Sequence, residues 1–204
     1  MVNILNKLPS KKYRHAVVCL TDYTDFAKRI VAQPVPFHAL HKQPGRDVSI
    51  YAKLWRKLRE LKPDLVHTRN LSALEGQFVA AAAGVQRRVH GEHGRDVFDL
   101  YGRNRKYNLL RRAARPLVGH YITVSRDLQI WLQTTVGVPA SRITQIYSGV
   151  DSVQFHPRTE QRSGLPADFA PADAVVFGSV GRMAEGKDYP TLVRAFLRLL
   201  EVHP

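Results

Sequence analysis

RRVHGEHGRDVF, residues 87 to 98, is the stretch on which the reading of this chain turns. Val89 and its neighbours form a short β-branched run of the kind that ends a strand. His90, Gly91, Glu92, His93, Gly94, Arg95 and Asp96 follow with almost no apolar residue among them. Two glycines let a backbone turn sharply and let a ligand approach it closely. Seven positions thus carry two imidazoles, two carboxylates and a guanidinium. In a parallel α/β sheet the loop beyond a strand's C-terminal end is where ligands sit. A solvated polar loop is the competing reading, and the flanking segments decide between the two.

Those segments alternate. HAVVCL (15–20) reads as a fully buried strand and VPFHAL (35–40) as another, with a short helix over 25–30 between them. Residues 50–61 place Leu54, Trp55, Leu58 and Leu61 on one stripe at helical period, with Lys53, Arg56, Lys57 and Arg59 off it. Pro63 stops that helix, and DLVHT (64–68) is the next strand. Ser72 and Glu75 have capping-box spacing and predict a helix over 73–83, closed by Gly84. Beyond the central loop, residues 103–118 are amphipathic, with Tyr107, Leu110, Ala113, Ala114 and Leu117 on one face and Arg105, Asn108, Arg112 and Arg115 on the other. HYITVS (120–125) is a strand whose Ser125 caps a helix over 127–134, and 142–150 is a further strand ending in a turn. Strand and helix in alternation predict a parallel sheet with helices on both faces.

After residue 150 the pattern changes. Pro157, Gly164, Pro166 and Pro171 break periodicity, so 151–173 reads as a linker between a first domain (1–150) and the start of a second (174–204). AVVFGSV (174–180) restarts a buried strand, and a helix begins near Pro190, a favoured first helical position. Between them lies GRMAEGKD. Gly181 permits a tight turn, and Arg182 and Lys187 bracket a loop towards which the next helix points its N-terminus. Amides, helix dipole and two cations together suit an anion such as a diphosphate.

Composition excludes several classes. The 204 residues hold 31 Lys plus Arg against 17 Asp plus Glu, a formal net charge of +14, which predicts attraction to polyanions, anionic lipid or phosphate-bearing substrates. One cysteine, Cys19, excludes an internal disulfide framework. No apolar run reaches the length of a membrane span, and the polar start MVNILNKLPSKKYRH lacks the apolar core of a signal peptide. His90-x-Glu92 resembles the opening of a zinc deaminase motif, but that motif needs a Cys pair absent here. A metal site from His90, His93 and Asp96 is a further reading of the central loop. A binding module for nucleic acid or membrane is the alternative to an enzyme, although no helix-turn-helix, zinc-finger or RNA-binding aromatic signature is present.

PDLVHT, the His93-Gly94 step, TVSRDL, IYSGVDSVQFHP and VGRMAEGKDYPTLVRAF occur in that order. With these motifs the chain resembles glycosyltransferase family 4, retaining sugar-nucleotide enzymes of GT-B fold, and within it the bacterial transferases of exopolysaccharide and exosortase systems. The resemblance implies two Rossmann-like domains: a nearly complete acceptor domain and the first β-α unit of a donor domain. It implies a fragment, inactive alone, lacking a first strand, a glycine-rich turn and a later pair of glutamates. His93, with His90 second, is implied to reach the reacting sugar; Gly181, Arg182 and Lys187 to hold the donor diphosphate; His67, Asn70 and Gly149 to line the cleft. Ser148 stands where the family motif has Asn. The implied reaction moves a hexose from a nucleotide diphosphate sugar to a lipid-linked or polysaccharide acceptor with retention. No cofactor and no metal are implied, nor any specific nucleic acid, and the implied place is cytoplasmic, peripheral at an anionic inner membrane face. For that surface the sequence offers Lys11, Lys12 and Arg14, and Arg103, Arg105, Arg111, Arg112 and Arg115.

Overall fold

The computed structural model describes residues 1–95, 98–153, 155–157, 166, 169–171 and 174–203. Contacts divide the chain into two units: Met1–Gly94 with Gly102–Ile146, and Arg95–Tyr101 with Tyr147–Pro204.

The first unit is built from parallel strands. β1 (Val17–Cys19) pairs with β2 (Phe37–Ala39), Val17 beside Phe37. A second sheet runs in chain order through β3 (Leu65–Arg69), β4 (Arg87–Glu92), β5 (His120–Thr123) and β6 (Ile143–Gln145). Register places Thr68 beside His90 and His90 beside Tyr121, one row across three strands. Neighbouring parallel strands need crossovers. Here these are α3 (Asn70–Leu74) with α4 (Gly76–Ala82), then α5 (Arg105–Ala114), then α6 (Arg126–Trp131) with a π-helical continuation over Leu132–Val136. α1 (Val2–Lys7) precedes β1, and α2 (Ser49–Leu61) joins β2 to β3.

Two apolar clusters hold the unit together. α2 buries Ile50, Leu54 and Leu58, spaced by four, and these meet Val79, Ala80 and Ala83 from the α4 segment, with Leu40, Val85 and the half-buried Val18, Leu20 and Val66. Lys62 ends α2 at φ 45°, one residue before Pro63, and Gly84 turns the chain at φ 85° after α4. Glycine is the residue that adopts that left-handed conformation without steric cost. The second cluster gathers Val118, Tyr121, Leu128, Trp131, Leu132, Val136, Val138 and Ile143 around β5 and β6. Ser125 accepts from the Leu128 amide, as its capping position predicts.

Local expectations differ from the structure in several places. β1 is half-buried rather than fully buried, because it has a single neighbour in a two-stranded sheet. The Ser72–Glu75 capping box does not form. The chain turns into α3 at Asn70, leaving Ser72 inside the helix, and Glu75 accepts from the Tyr51 hydroxyl instead (2.7 Å). α5 is rotated from the expected orientation: Asn108 and Arg111 are buried with Ala114, whereas Ala113 is exposed. The strand expected over 142–150 is confined to β6. In the second unit, 174–180 forms no strand, and Val180 is fully exposed. A strand exists through its ladder, and no described residue after Gln145 supplies one. The second unit's long element is α7 (Tyr189–Val202), with Pro190 in its first turn and the Asp188 side chain accepting from the Thr191 amide. Much of the expected linker, 154, 158–165, 167–168 and 172–173, lies outside the described residues.

Candidate functional site

The strand expected to end at Val89 runs on to Glu92, so the polar residues His90, Gly91 and Glu92 belong to β4 itself. Side chains alternate across a sheet. His90 and Glu92 therefore share the face that carries Thr68 and Tyr121, while His93, beyond the strand end, lies with Gly91, His67 and Arg69 towards the other. The two sets have different surroundings.

The first set is dry. His90 is 0% exposed, Glu92 1% and Arg111 4%. Gln77 donates to Thr68 Oγ1 (2.6 Å) and to the Val89 carbonyl (2.9 Å). Thr68 Oγ1 lies 2.7 Å from His90 Nδ1. Thr68 Oγ1 accepts from Gln77 and still has a proton and a second lone pair for His90 Nδ1; the other ring nitrogen is Nε2. That nitrogen stands 3.5 Å from Glu92 Oε1, and Arg111 Nε donates to the same oxygen at 2.7 Å. Burial alone would raise the Glu92 pKa; its contacts with His90 and Arg111 outweigh that and hold it below the usual carboxylate value. The Arg111 guanidinium stacks 4.8 Å from the Trp131 ring centre, and Trp131 and Asn108 both donate to the Gly102 carbonyl. Five elements are tied beneath the loop by one polar chain.

The second set is half-open. Asn70, at φ 57°, accepts from the His93 amide through Oδ1 (2.8 Å), which fixes the turn after β3 against the end of β4. Arg69 Nη2 lies 3.1 Å from His93 Nδ1. Gly91 is where a side chain would be in the way. A Cβ there would meet His93 Nε2 at 2.8 Å and His67 Nε2 at 3.0 Å. Both imidazoles close over a bare α-carbon. Their neighbours disfavour protonation. Desolvation by the surrounding chain, then the positive charge of Arg69, pushes the His67 pKa down to about 4, although part of the residue faces solvent. Desolvation, followed by Arg69, lowers that of His93.

His67, Asn70, His90 and His93 are thus brought together at the ends of β3 and β4. His90, however, lies inside the sheet, bonded to protein. Arg69 and the Gln77–Thr68 link were not singled out from sequence; Gly91 was read as leaving room for a ligand, and Arg111 as a surface cation, whereas it is buried. The signals were there: Arg69 follows the strand motif directly, and Arg111 sits in register with Tyr107, Ala114 and Val118. Among the described residues no three His, Cys, Asp or Glu are grouped to hold a metal ion, and Asp96 lies outside them.

The remaining candidates belong to the second unit. Gly149 is exposed with open space beside its α-carbon. Gly181 has the Tyr189 hydroxyl 2.8 Å and Lys187 Cε 3.8 Å from where its Cβ would stand. Arg182 and Lys187 are exposed, and Lys187 ends a 3-10 turn (Glu185–Lys187) leading into α7. The Asp188 carboxylate occupies the α7 N-cap.

No curated protein matches the chain. Among solved structures it is similar to HepE of Anabaena in complex with UDP and glucose, at 20% identity and TM-score 0.52 over 78% of this chain and 43% of that one. It is similar also to HepE in complex with UDP-glucose, at 21% identity and TM-score 0.53 over 76% and 42%. The chain therefore spans about two fifths of those structures' length. The likeness shows the fold: parallel sheets with helices on both sides, part of a GT-B glycosyltransferase architecture. The Glycosyltransferase Family 4 model matches residues 1–154, three quarters of the chain and the whole of the β3–β4 cluster, so the chain belongs to glycosyltransferase family 4.

Proposed function

We propose that the chain forms the acceptor side of an enzyme that moves a hexose from a nucleotide diphosphate sugar to a lipid-linked or polysaccharide acceptor, with retention of anomeric configuration, in exopolysaccharide assembly. The observation that carries this reading is that the family match over residues 1–154 contains the half-open cluster of His67, Arg69, Asn70 and His93. A nucleotide-sugar donor is supported by the UDP, glucose and UDP-glucose held by the HepE structures. In this reading His93 faces the sugar, and His90 acts from beneath as part of the scaffold. Arg182 and Lys187 stabilise the negative charge that develops on the leaving diphosphate, an electrostatic role that acts in the transition state. No cofactor takes part.

The chain alone is proposed to be inactive, since it spans only about two fifths of those structures. The enzyme works in the cytoplasm against the inner membrane face. Exposed Lys11, Lys12, Arg14, Arg103 and Arg105 support that place. No helix among the described residues is long and apolar enough to cross a membrane. The contribution of α5 is smaller than its sequence implies. Arg111 is buried against Glu92, Arg112 donates twice to the Thr135 carbonyl, and Arg115 donates to that of Gly137.

The test is transfer of labelled hexose from a panel of nucleotide diphosphate sugars to lipid extract, by the chain extended with its flanking coding sequence and by the 204-residue chain alone. Transfer is expected from the extended protein only, with the product anomer matching the donor. In the extended protein, Arg182→Ala is expected to lower kcat/KM at least tenfold, about 1.4 kcal/mol of transition-state stabilisation. No transfer from any donor by the extended protein, with intact secondary structure, sinks the reading.

A further inference from the structure

Among the described residues, two hydrogen bonds hold His93. Its amide donates to Asn70 Oδ1 at 2.8 Å, which sets the backbone, and its ring meets Arg69 Nη2 at 3.1 Å through Nδ1, which sets the imidazole. A guanidinium has five N–H donors and no acceptor. The Nδ1 atom facing it must therefore offer a lone pair. A proton on Nδ1 would set N–H against N–H across 3.1 Å.

We propose that Arg69 is a positioning residue that fixes His93 as the neutral Nε2–H tautomer, so that His93 meets its ligand as a hydrogen-bond donor and does not take up a proton as a base. The inference rests on the reading of His93 as the sugar-facing group, but its geometry stands apart from any activity. Three observations converge on it. The Nε2 atom is buried over the bare α-carbon of Gly91 and has no hydrogen-bond partner among the described residues, so none of them uses its proton. Most of the groups facing the ring add to the same bias. Arg69 and His67 face it from β3, His90 and Glu92 from β4, Asn70 from the start of α3, and the Met1 amino group from the start of the chain. Of these only Glu92 favours a charged ring, and its carboxylate is already engaged by Arg111. Lastly, Arg69 is itself half-buried, and its cation is held beside the ring at the strand end.

For hexose transfer, a neutral N–H donor beside the sugar orients a hydroxyl or supports developing negative charge; it cannot deprotonate the acceptor. The acceptor's proton must then leave through a group other than His93.

The test uses the 204-residue chain labelled with 15N-histidine and long-range nitrogen–proton correlation spectra, which distinguish the two neutral tautomers from the cation. His93 is expected as Nε2–H, and to remain so at pH 6.5, where an ordinary imidazole is half protonated. In Arg69→Met the donor and the charge are both removed, so the expected result is a mixture of tautomers and a titration moved upwards towards that ordinary value. Arg69→Lys restores a cation with N–H donors, and its His93 titration is expected to stay low. Wild-type His93 as the Nδ1–H tautomer, or half protonated at pH 6.5, overturns the proposal. So does an Arg69→Met spectrum identical to the wild type. If Arg69→Met does not fold, the wild-type tautomer and Arg69→Lys decide. Absence of hexose transfer by the extended protein, with the tautomer found as expected, refutes the functional reading and leaves the positioning role standing.

Discussion

The two faces at the C-terminal end of β4 carry similar residues in opposite conditions. On one, His90 and Glu92 are sealed among Thr68, Gln77, Arg111 and Tyr121. On the other, His67 and His93 close over Gly91 with part of their surface in solvent. An imidazole that is enclosed and bonded on Nδ1 by a hydroxyl has become part of the scaffold. Nε2 is without a hydrogen-bond partner among the described residues in both rings, but the one held on Nδ1 by an arginine is only half-buried as a residue and so lies nearer to solvent. Position within the pleat, and not residue type, separates the two roles.

Breaking the sealed face should cost most. Arg111→Met leaves Glu92 buried without its cation, and such a loss typically costs about 3–5 kcal/mol. Urea unfolding of the chain measures it. Adding Glu92→Leu to that variant removes the orphaned charge and should recover much of the loss; a double variant as unstable as the single would show that the pair is not the reason. Next comes His90→Phe. The Thr68 hydroxyl then loses its His90 partner and Gln77 the far end of its chain, an unmet buried polar group of about 1–3 kcal/mol.

The open face should answer differently. Gly91→Ala drives a methyl into the space where two ring nitrogens stand within 3.0 Å. Both rings can swing away, so stability should fall by no more than about 1 kcal/mol. The His67 and His93 ring resonances, however, should both move, and hexose transfer by the extended protein should drop. Unchanged ring resonances would mean that the two rings do not meet over Gly91.

The smallest effect is the pH dependence of His67. Its pKa is about 4 in the folded chain and near 6.5 when unfolded, so the unfolded state binds more protons between those values. Its contribution is thus fully present above pH 6.5 and is lost as the pH falls from there through 4. Because part of the ring faces solvent, solvent screening reduces the effect. His67→Gln should flatten the fall in stability over that window. Glu92 acts with the same sign at lower pH: held below its usual value, it contributes above about 4.5 and that contribution is lost on acidification.

Much of the first unit was legible from its residues. The apolar stripe of α2, the β-branched runs at β3 and β5, Gly84 as a helix stop and Ser125 as a cap are local signals, decided by period, φ or one hydrogen bond. His67 and His93 could be placed at strand ends for the same reason. The capping box shows the limit of such signals. Ser72 has the right spacing, but the helix begins three residues earlier, at Asn70, whose side chain accepts from the His93 amide. A contact between positions 23 apart outranks one between positions 3 apart.

What the sequence determined alone was the alternation of strand and helix, the basic balance and the order of motifs, all of which follow from neighbours along the chain. Only the tertiary structure decided which polar groups go inside. Asn108 and Arg111 were indistinguishable by type from their exposed neighbours. They are buried because the Gly102 carbonyl and the Glu92 carboxylate wait for them across the fold. Likewise 174–180 has the residues of a strand and does not form one, since a ladder needs a second chain segment beside it. Propensity belongs to the residue, but the satisfaction of a buried donor, acceptor or charge belongs to whatever the fold brings next to it.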